Sequence, residues 1–154
     1  MRQRWLPVGV LAGVLFALNV IARLVVRWGF DNDTEVSDRV SLGMFVVIGL
    51  ILAGIAFTQG RRVPLAHWTA DVAAAVLVAM VLTIFIGPFL SGSQPFAAGA
   101  GAFFSQIWLY AGCALIGTML GYLVLTALGW DYRSESLKRY AELKTSKPRR
   151  VVRR

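Results

Sequence analysis

The sequence predicts an all-α protein with four transmembrane helices, and three observations support this fold class. Hydrophobic residues make up 57% of the 154 residues and charged residues only 16%, whereas soluble domains carry about 25% charged residues. The apolar residues form blocks of the length that a membrane-crossing helix needs, about 20 residues. None of these blocks alternates apolar and polar residues as an outer-membrane barrel strand does. These features exclude a water-soluble enzyme, a disordered protein and a small disulfide scaffold.

Four spans are predicted, at about residues 6–26, 40–57, 72–90 and 107–128. A helix rises about 1.5 Å per residue, so each block has about the length needed to cross ~30 Å of hydrocarbon. Residues 72–130 contain no charged side chain, which leaves room for two spans and a turn. We therefore predict a four-helix transmembrane domain at 1–130 and a basic tail at 131–154.

The distribution of charge predicts that both termini are cytoplasmic, because basic residues near span ends collect on that side. One side of the bundle would hold the N-terminus, Arg61, Arg62 and the tail, which has nine basic residues against three acidic ones. The other side would hold three arginines beside four acidic residues, and an uncharged second loop. The tryptophans support the predicted span ends, because aromatic residues collect at membrane interfaces. All five fall at or near those ends: Trp5, Trp28, Trp68, Trp108 and Trp130.

A cleaved signal peptide is the alternative interpretation of the first span. Residues 1–4 are basic and an apolar run follows, as such a peptide requires. The run is long for that role and lacks a small-x-small cleavage site after it, so we favour a retained helix. The use of 13 Arg against three Lys favours a bacterial protein, and we expect it in the plasma (inner) membrane as a multi-pass protein.

The loops between the predicted spans contain residues that suit helix ends. Two of these loops also have an alternative functional interpretation. Gly60 suits the end of the second span and Pro64 the first turn of the third. The acidic run 31–35 is similar to part of a calcium loop but lacks that loop's glycine and final glutamate, so we favour a solvated loop. The connection 91–106 is apolar and poor in helix formers, and we favour packing at the interface over a re-entrant pore loop.

Two spans carry small residues at a four-residue spacing, which places them on one helix face. Such faces allow close helix packing in membranes. We favour packing within the bundle, and contact with a second subunit is the alternative. The candidate packing residues are Gly9, Gly13 and Ala17 in the first span, and Cys113, Gly117 and Gly121 in the fourth.

Motifs for enzymatic chemistry are scarce in this sequence. A single cysteine and a single histidine exclude an intramolecular disulfide, paired-cysteine redox chemistry and ligation of haem by two histidines of one chain. No phosphate-binding glycine loop or G-x-S-x-G elbow occurs. We therefore expect no catalytic residue, no metal ligand and no cofactor.

Two pairs of polar residues are candidate intramembrane or interfacial sites, because ionisable groups at membrane depth are often functional. Asn19 and Arg23 share a face of the first span and would line a polar cavity, although we favour an Arg23 that extends to the headgroups. His67 and Asp71 share a helix face at the inner end of the third span. A proton relay is the functional interpretation of this second pair, and we favour an interfacial position beside the helix N-terminus.

The tail predicts a short helix at 134–144 followed by a run of arginines. Basic residues beside a span gain about 1 kcal/mol each near an anionic leaflet, so the expected partner is the anionic inner leaflet rather than a specific nucleic acid. A tail that recruits cytoplasmic proteins is the alternative. The residues expected to contact anionic lipid are Arg61, Arg62, Arg149, Arg150, Arg153 and Arg154.

These features predict a small integral membrane protein that acts as a non-enzymatic accessory or scaffolding subunit of a membrane complex. Its expected partner is another membrane protein or a second copy of the chain. The alternative is a homo-oligomeric channel or small-solute transporter that uses the Asn19–Arg23 or the His67–Asp71 pair.

Overall fold

The structure is a computed structural model that describes residues 2–29, 34–90, 92, 96 and 99–145, and these residues contain helices and no strand. The helices are α1 (Arg2–Gly29), α2 (Thr34–Arg62), α3 (Leu65–Phe85), α4 (Gly87–Leu90), α5 (Gly99–Ala127) and α6 (Tyr132–Thr145). Of these, α1, α2, α3 and α5 are long and apolar enough to cross a membrane. The prediction of an all-α protein with four helices long and apolar enough to span a membrane is confirmed.

The four long helices alternate in direction, and each packs most extensively against a helix that runs parallel to it. The largest interface joins α2 to α5, and the next joins α1 to α3. We call the end of the bundle where α2 ends and α3 begins the basic end, because Arg61 and Arg62 lie there. The start of α6 lies at the same end, since α6 contacts α2 and shares a cleft with Arg61 and Arg62.

Small side chains share the bundle interior with a few large ones, while many large apolar side chains face outward. Ala56, Ala75 and Ala79 are fully buried, whereas Leu50, Leu77 and many other large apolar side chains are exposed. This arrangement suits a lipid environment, where close backbone approach rather than apolar burial holds helices together.

The helix that contains most of the third predicted span, 72–90, has different bounds from that span. α3 begins earlier, at Leu65 directly after Pro64, and ends at Phe85. A turn at Ile86 separates it from the four-residue α4. The cause is Pro88, which lacks an amide N–H and whose ring conflicts with a helical carbonyl one turn earlier.

The helix that contains the fourth predicted span, 107–128, begins before that span, since α5 starts at Gly99. Part of the connection predicted at 91–106 is therefore helical. Gly60 lies in the last turn of α2, close to the helix end predicted for it. It allows close packing, since a Cβ there would lie 2.6 Å from Cδ2 of Leu125.

A short turn connects α5 to α6. Gly129 adopts a positive φ of 64°, and the Trp130 amide donates to the Leu125 carbonyl at 3.2 Å. This hydrogen bond with a left-handed glycine is a Schellman ending, which closes α5. α6 then covers the helix predicted at 134–144.

Some predicted features lie outside the described residues. They are the acidic residues Asp31 and Asp33, part of the second connection, including Pro95, and four tail arginines, Arg149, Arg150, Arg153 and Arg154.

Candidate functional site

A polar cluster lies inside the bundle near the end opposite the basic end. Asn19 is only 2% exposed. Its Nδ2 donates to Sδ of Met44 at 3.2 Å, and its Oδ1 accepts a 3.0 Å hydrogen bond from Nε of Arg23. We call Asn19, Arg23, Met44 and Gly87 the intramembrane polar cluster. It connects α1 to α2 and to the start of α4.

Gly87 makes room for the Arg23 side chain in this cluster. A Cβ at position 87 would lie 2.9 Å from Nε of Arg23 and 3.1 Å from Oδ1 of Asn19. One turn further along α1, Arg27 donates to the Leu90 carbonyl at 2.8 Å. Arg23 and Arg27 therefore both contact the segment that follows the break in α3. The Arg23 side chain is half-buried, and its Nε is directed to Asn19.

Two buried hydroxyl groups lie in the same half of the bundle. Thr83 and Tyr110 are fully buried, and within the described part of the chain neither hydroxyl has a hydrogen-bond partner. The Tyr110 ring packs edge-on against Phe45 of α2 at 6.2 Å. A buried hydroxyl without a partner costs free energy, so these two groups are unsatisfied polar atoms in a mostly apolar interior.

His67 and Asp71 lie in α3 near the basic end, and their surroundings differ. His67 is exposed, whereas Asp71 is half-buried and lines a cavity of about 110 Å³ between α1, α2 and α3. Gln59 and Trp68 line the same cavity, and the buried Trp68 Nε1 has no hydrogen-bond partner among the described residues. The cavity is large enough for water, which needs about 10–15 Å³ of accessible space.

The predicted packing residues fall into two groups. Gly117 and Gly121 are buried against Gly49 and Ala53 of α2, and a Cβ at either glycine would lie 2.6 Å from the Cα that faces it. The Cys113 carbonyl lies 3.5 Å from the Cβ position of Gly49. On α1, by contrast, Gly9, Gly13 and Ala17 are exposed.

At the basic end, Arg61 is held beside aromatic rings. Its Cζ lies 4.9 Å from the centre of the Trp130 ring and 6.0 Å from that of Phe57, distances at which a cation is attracted to a ring face. Arg61 and Arg62 line a cleft between the end of α2 and α6.

Asp131 caps the N-terminus of α6 at the basic end of the bundle. Its Oδ2 accepts a 3.2 Å hydrogen bond from the Ser134 amide. Hydrogen bonding from Ser134 lowers the pKa of the Asp131 carboxyl, because the charged form accepts the stronger hydrogen bond. The cap fixes the start of α6, which forms one side of the cleft that Arg61 and Arg62 line.

Several site residues were missed in the sequence. Gly49 and Ala53 have the same four-residue spacing as Gly117 and Gly121, and this signal predicts a packing face on α2. Gly87 and Met44 have no such signal, because their role depends on how three helices meet.

Comparison with protein-family models, curated proteins and solved structures finds no significant match to this chain.

Proposed function

We propose that the protein is a non-enzymatic accessory or scaffolding subunit that packs through α1 against another membrane protein or a second copy of itself. The observation that carries this proposal is the exposed face formed by Gly9, Gly13 and Ala17. No atom of another described helix lies within 4 Å of the position that a Cβ would take at Gly9 or Gly13. Small residues on a lipid-facing surface favour close contact with a further helix.

The α5 helix provides an internal comparison. Its glycines at 117 and 121 have the same spacing as those of α1 and are buried by α2. The α1 face also has small residues at a four-residue spacing, but no other helix of the described part of the chain packs against it. A helix of a partner subunit would complete it as α2 completes α5.

Native mass spectrometry of the tagged protein in a mild detergent tests this proposal. We expect Gly13→Leu to release a partner or to dissociate an oligomer, because the added side chain separates the two backbones. Val14→Leu is the matched control, since Val14 is also exposed but lies about 100° further round the helix. A Gly13→Leu protein that keeps every partner and its oligomeric state would contradict the proposal.

We further propose that this subunit resides in a bacterial plasma membrane with both termini in the cytoplasm. The support is the concentration of cations at the basic end, where Arg61, Arg62 and the basic residues of α6 lie. The anionic inner leaflet is then the partner of that end, and no specific nucleic acid is required.

A homo-oligomeric channel or small-solute transporter is the second candidate, and the intramembrane polar cluster favours it. Buried polar groups in a membrane bundle often mark a solute path, and the hydroxyls of Thr83 and Tyr110 add unsatisfied groups to this region. Purified protein in liposomes would then move an ion or small solute. Arg23→Ala and Asp71→Asn should abolish the flux while Arg133→Ala retains it, and unchanged flux in the first two would remove these residues from the path.

A further inference from the structure

Two cavities on the surface of α2 meet at Phe57 and Thr58. The first, which we call the basic cleft, lies between the end of α2 and α6 and has a volume of about 800 Å³. The second, the apolar seam, runs along the contact between α2 and α5 and has a volume of about 620 Å³. Phe57 and Thr58 line both cavities, so a ligand with a polar and an apolar part can occupy the two together.

The basic cleft carries a positive charge that suits a phosphate group. Arg61, Arg62 and Arg139 line it, with Glu135 as the one acidic residue among the described lining residues. Arg139 lies 3.6 Å from Glu135, but its side chain is 79% exposed, so this pair is weakened by solvent. Two positive charges therefore remain in excess, and guanidinium groups bind phosphate through parallel hydrogen bonds.

The apolar seam suits a hydrocarbon chain. The described residues that line it are uncharged, and glycines such as Gly54 and Gly117 form a depression beside the larger Leu120. Its α2 side extends from Phe45 to Thr58, which is about 20 Å at about 1.5 Å per residue. One leaflet of the hydrocarbon core is about 15 Å thick, so an acyl chain that starts at the basic end fits along the seam.

We propose that the basic cleft and the apolar seam together form a binding site for one anionic phospholipid. The phosphate lies among the three arginines, and one acyl chain follows the seam between α2 and α5. Inorganic phosphate would leave the seam without a ligand, and a zwitterionic lipid would leave the excess charge of the cleft unbalanced. The site requires a lipid headgroup at the basic end and does not depend on the accessory-subunit proposal.

Lipid titration of the full-length, delipidated protein in detergent tests the site, with native mass spectrometry as the readout. The probes are phosphatidylglycerol and phosphatidylcholine with identical acyl chains, with inorganic phosphate as competitor. Both lipids offer the same phosphate to the arginines, but the choline cation of phosphatidylcholine is repelled by the two excess positive charges of the cleft. We therefore expect the first phosphatidylglycerol to bind about tenfold more tightly than phosphatidylcholine, a difference of about 1.4 kcal/mol.

Two independent sets of variants identify the two parts of the site. The double change Arg62→Gln and Arg139→Gln should remove the preference for phosphatidylglycerol, while Arg133→Gln, on α6 but outside the cleft, should keep it. Gly54→Leu should fill the seam and weaken binding of phosphatidylglycerol, while Gly43→Leu, on α2 outside the seam, should not. Both glycines are exposed with open space around them, so neither change should disturb folding.

Three results would overturn the proposal. The first is equal affinity for the two lipids, and the second is binding that none of the site variants changes. The third is competition by inorganic phosphate at concentrations comparable to those of the lipid, which would identify a phosphate site without a role for the seam.

Discussion

Gly87 shows how one residue without a side chain makes room for a charged group inside a membrane bundle. The guanidinium of Arg23 packs against Gly87 because no Cβ occupies the space between them. The hydrogen bond from Arg23 to Asn19 then offsets part of the cost of placing a polar chain between apolar helices. Gly87 and Arg23 are therefore expected to be coupled.

The substitution Gly87→Ala should lower stability in detergent by about 1–3 kcal/mol, the usual cost of overpacking a tight site. The new Cβ would lie 2.9 Å from Nε of Arg23, so that side chain must move and its hydrogen bond to Asn19 weakens. Thermal unfolding followed by circular dichroism measures the change. Gly101→Ala is the control, since a Cβ there meets open space, and its unfolding temperature should stay the same or rise.

The Asp131 carboxyl is expected to make the stability of the protein depend on pH. Because the folded-state pKa of its carboxyl is lowered below the ordinary value of 3.8, its stabilising effect is present above that value and is lost as the pH falls through the lower, folded-state pKa. Asp131→Ala should cost about 1 kcal/mol through the lost helix cap.

The unfolding temperatures of the wild type and Asp131→Ala should differ near neutral pH and converge as the pH falls below the folded-state pKa of the Asp131 carboxyl. Asp131→Asn keeps a capping oxygen without a titrating group, so its unfolding temperature should not show this acid-dependent loss relative to Asp131→Ala. A wild-type advantage over Asp131→Ala that is constant across this pH range would contradict the assignment of the effect to the carboxylate.

At the scale of helices, the contact of α2 with α5 is the most extensive in the bundle. It depends on four small residues that face each other in pairs, Gly49 with Gly117 and Ala53 with Gly121. Two parallel helices with this pattern approach closely enough for backbone atoms to touch, and dispersion between them replaces the missing hydrophobic effect. The bundle should therefore be sensitive to a single methyl group at this contact.

Gly121→Ala should destabilise the protein by about 2 kcal/mol or more, because the methyl group would lie 2.6 Å from the Ala53 Cα and the two helices must separate. Unfolding by a denaturing detergent, followed by circular dichroism, gives the difference. Gly112→Ala on the same helix meets nothing within 4 Å and should have no such effect. Equal stability of the two variants would contradict the close-packing role of Gly121.

The number and type of helices were predictable because long apolar blocks have few alternatives in a chain with so little charge. The ends of α3 and α5 were not. His67 and Asp71 lie inside α3, but an apolar pattern excludes such residues from a span. The break at Ile86 depends on Pro88, whose effect the apolar run conceals. The pairing of α2 with α5 depends on which faces meet, and local sequence does not encode that choice.

At the scale of the whole molecule, the charges of the described residues divide unequally between the two ends of the bundle. The basic end combines Arg61 and Arg62 with the cations of α6. At the opposite end, Arg27 bonds to the Leu90 carbonyl, and Asp38 stands beside Arg39 in the sequence. Cations near span ends are retained in the cytoplasm, so this difference should fix the orientation of the entire bundle.

Cysteine labelling in intact bacterial cells measures that orientation. In a Cys113→Ser background, Asp38→Cys should react with a membrane-impermeant maleimide from outside, because exposed Asp38 lies near the start of α2. Ala66→Cys, an exposed position at the basic end, should react only after the cells are permeabilised. Replacing Arg61 and Arg62 with glutamine should leave part of the population inverted, since the tail still carries most of the positive charge. The opposite labelling pattern in the starting protein would show that charge near the span ends does not determine how this bundle inserts.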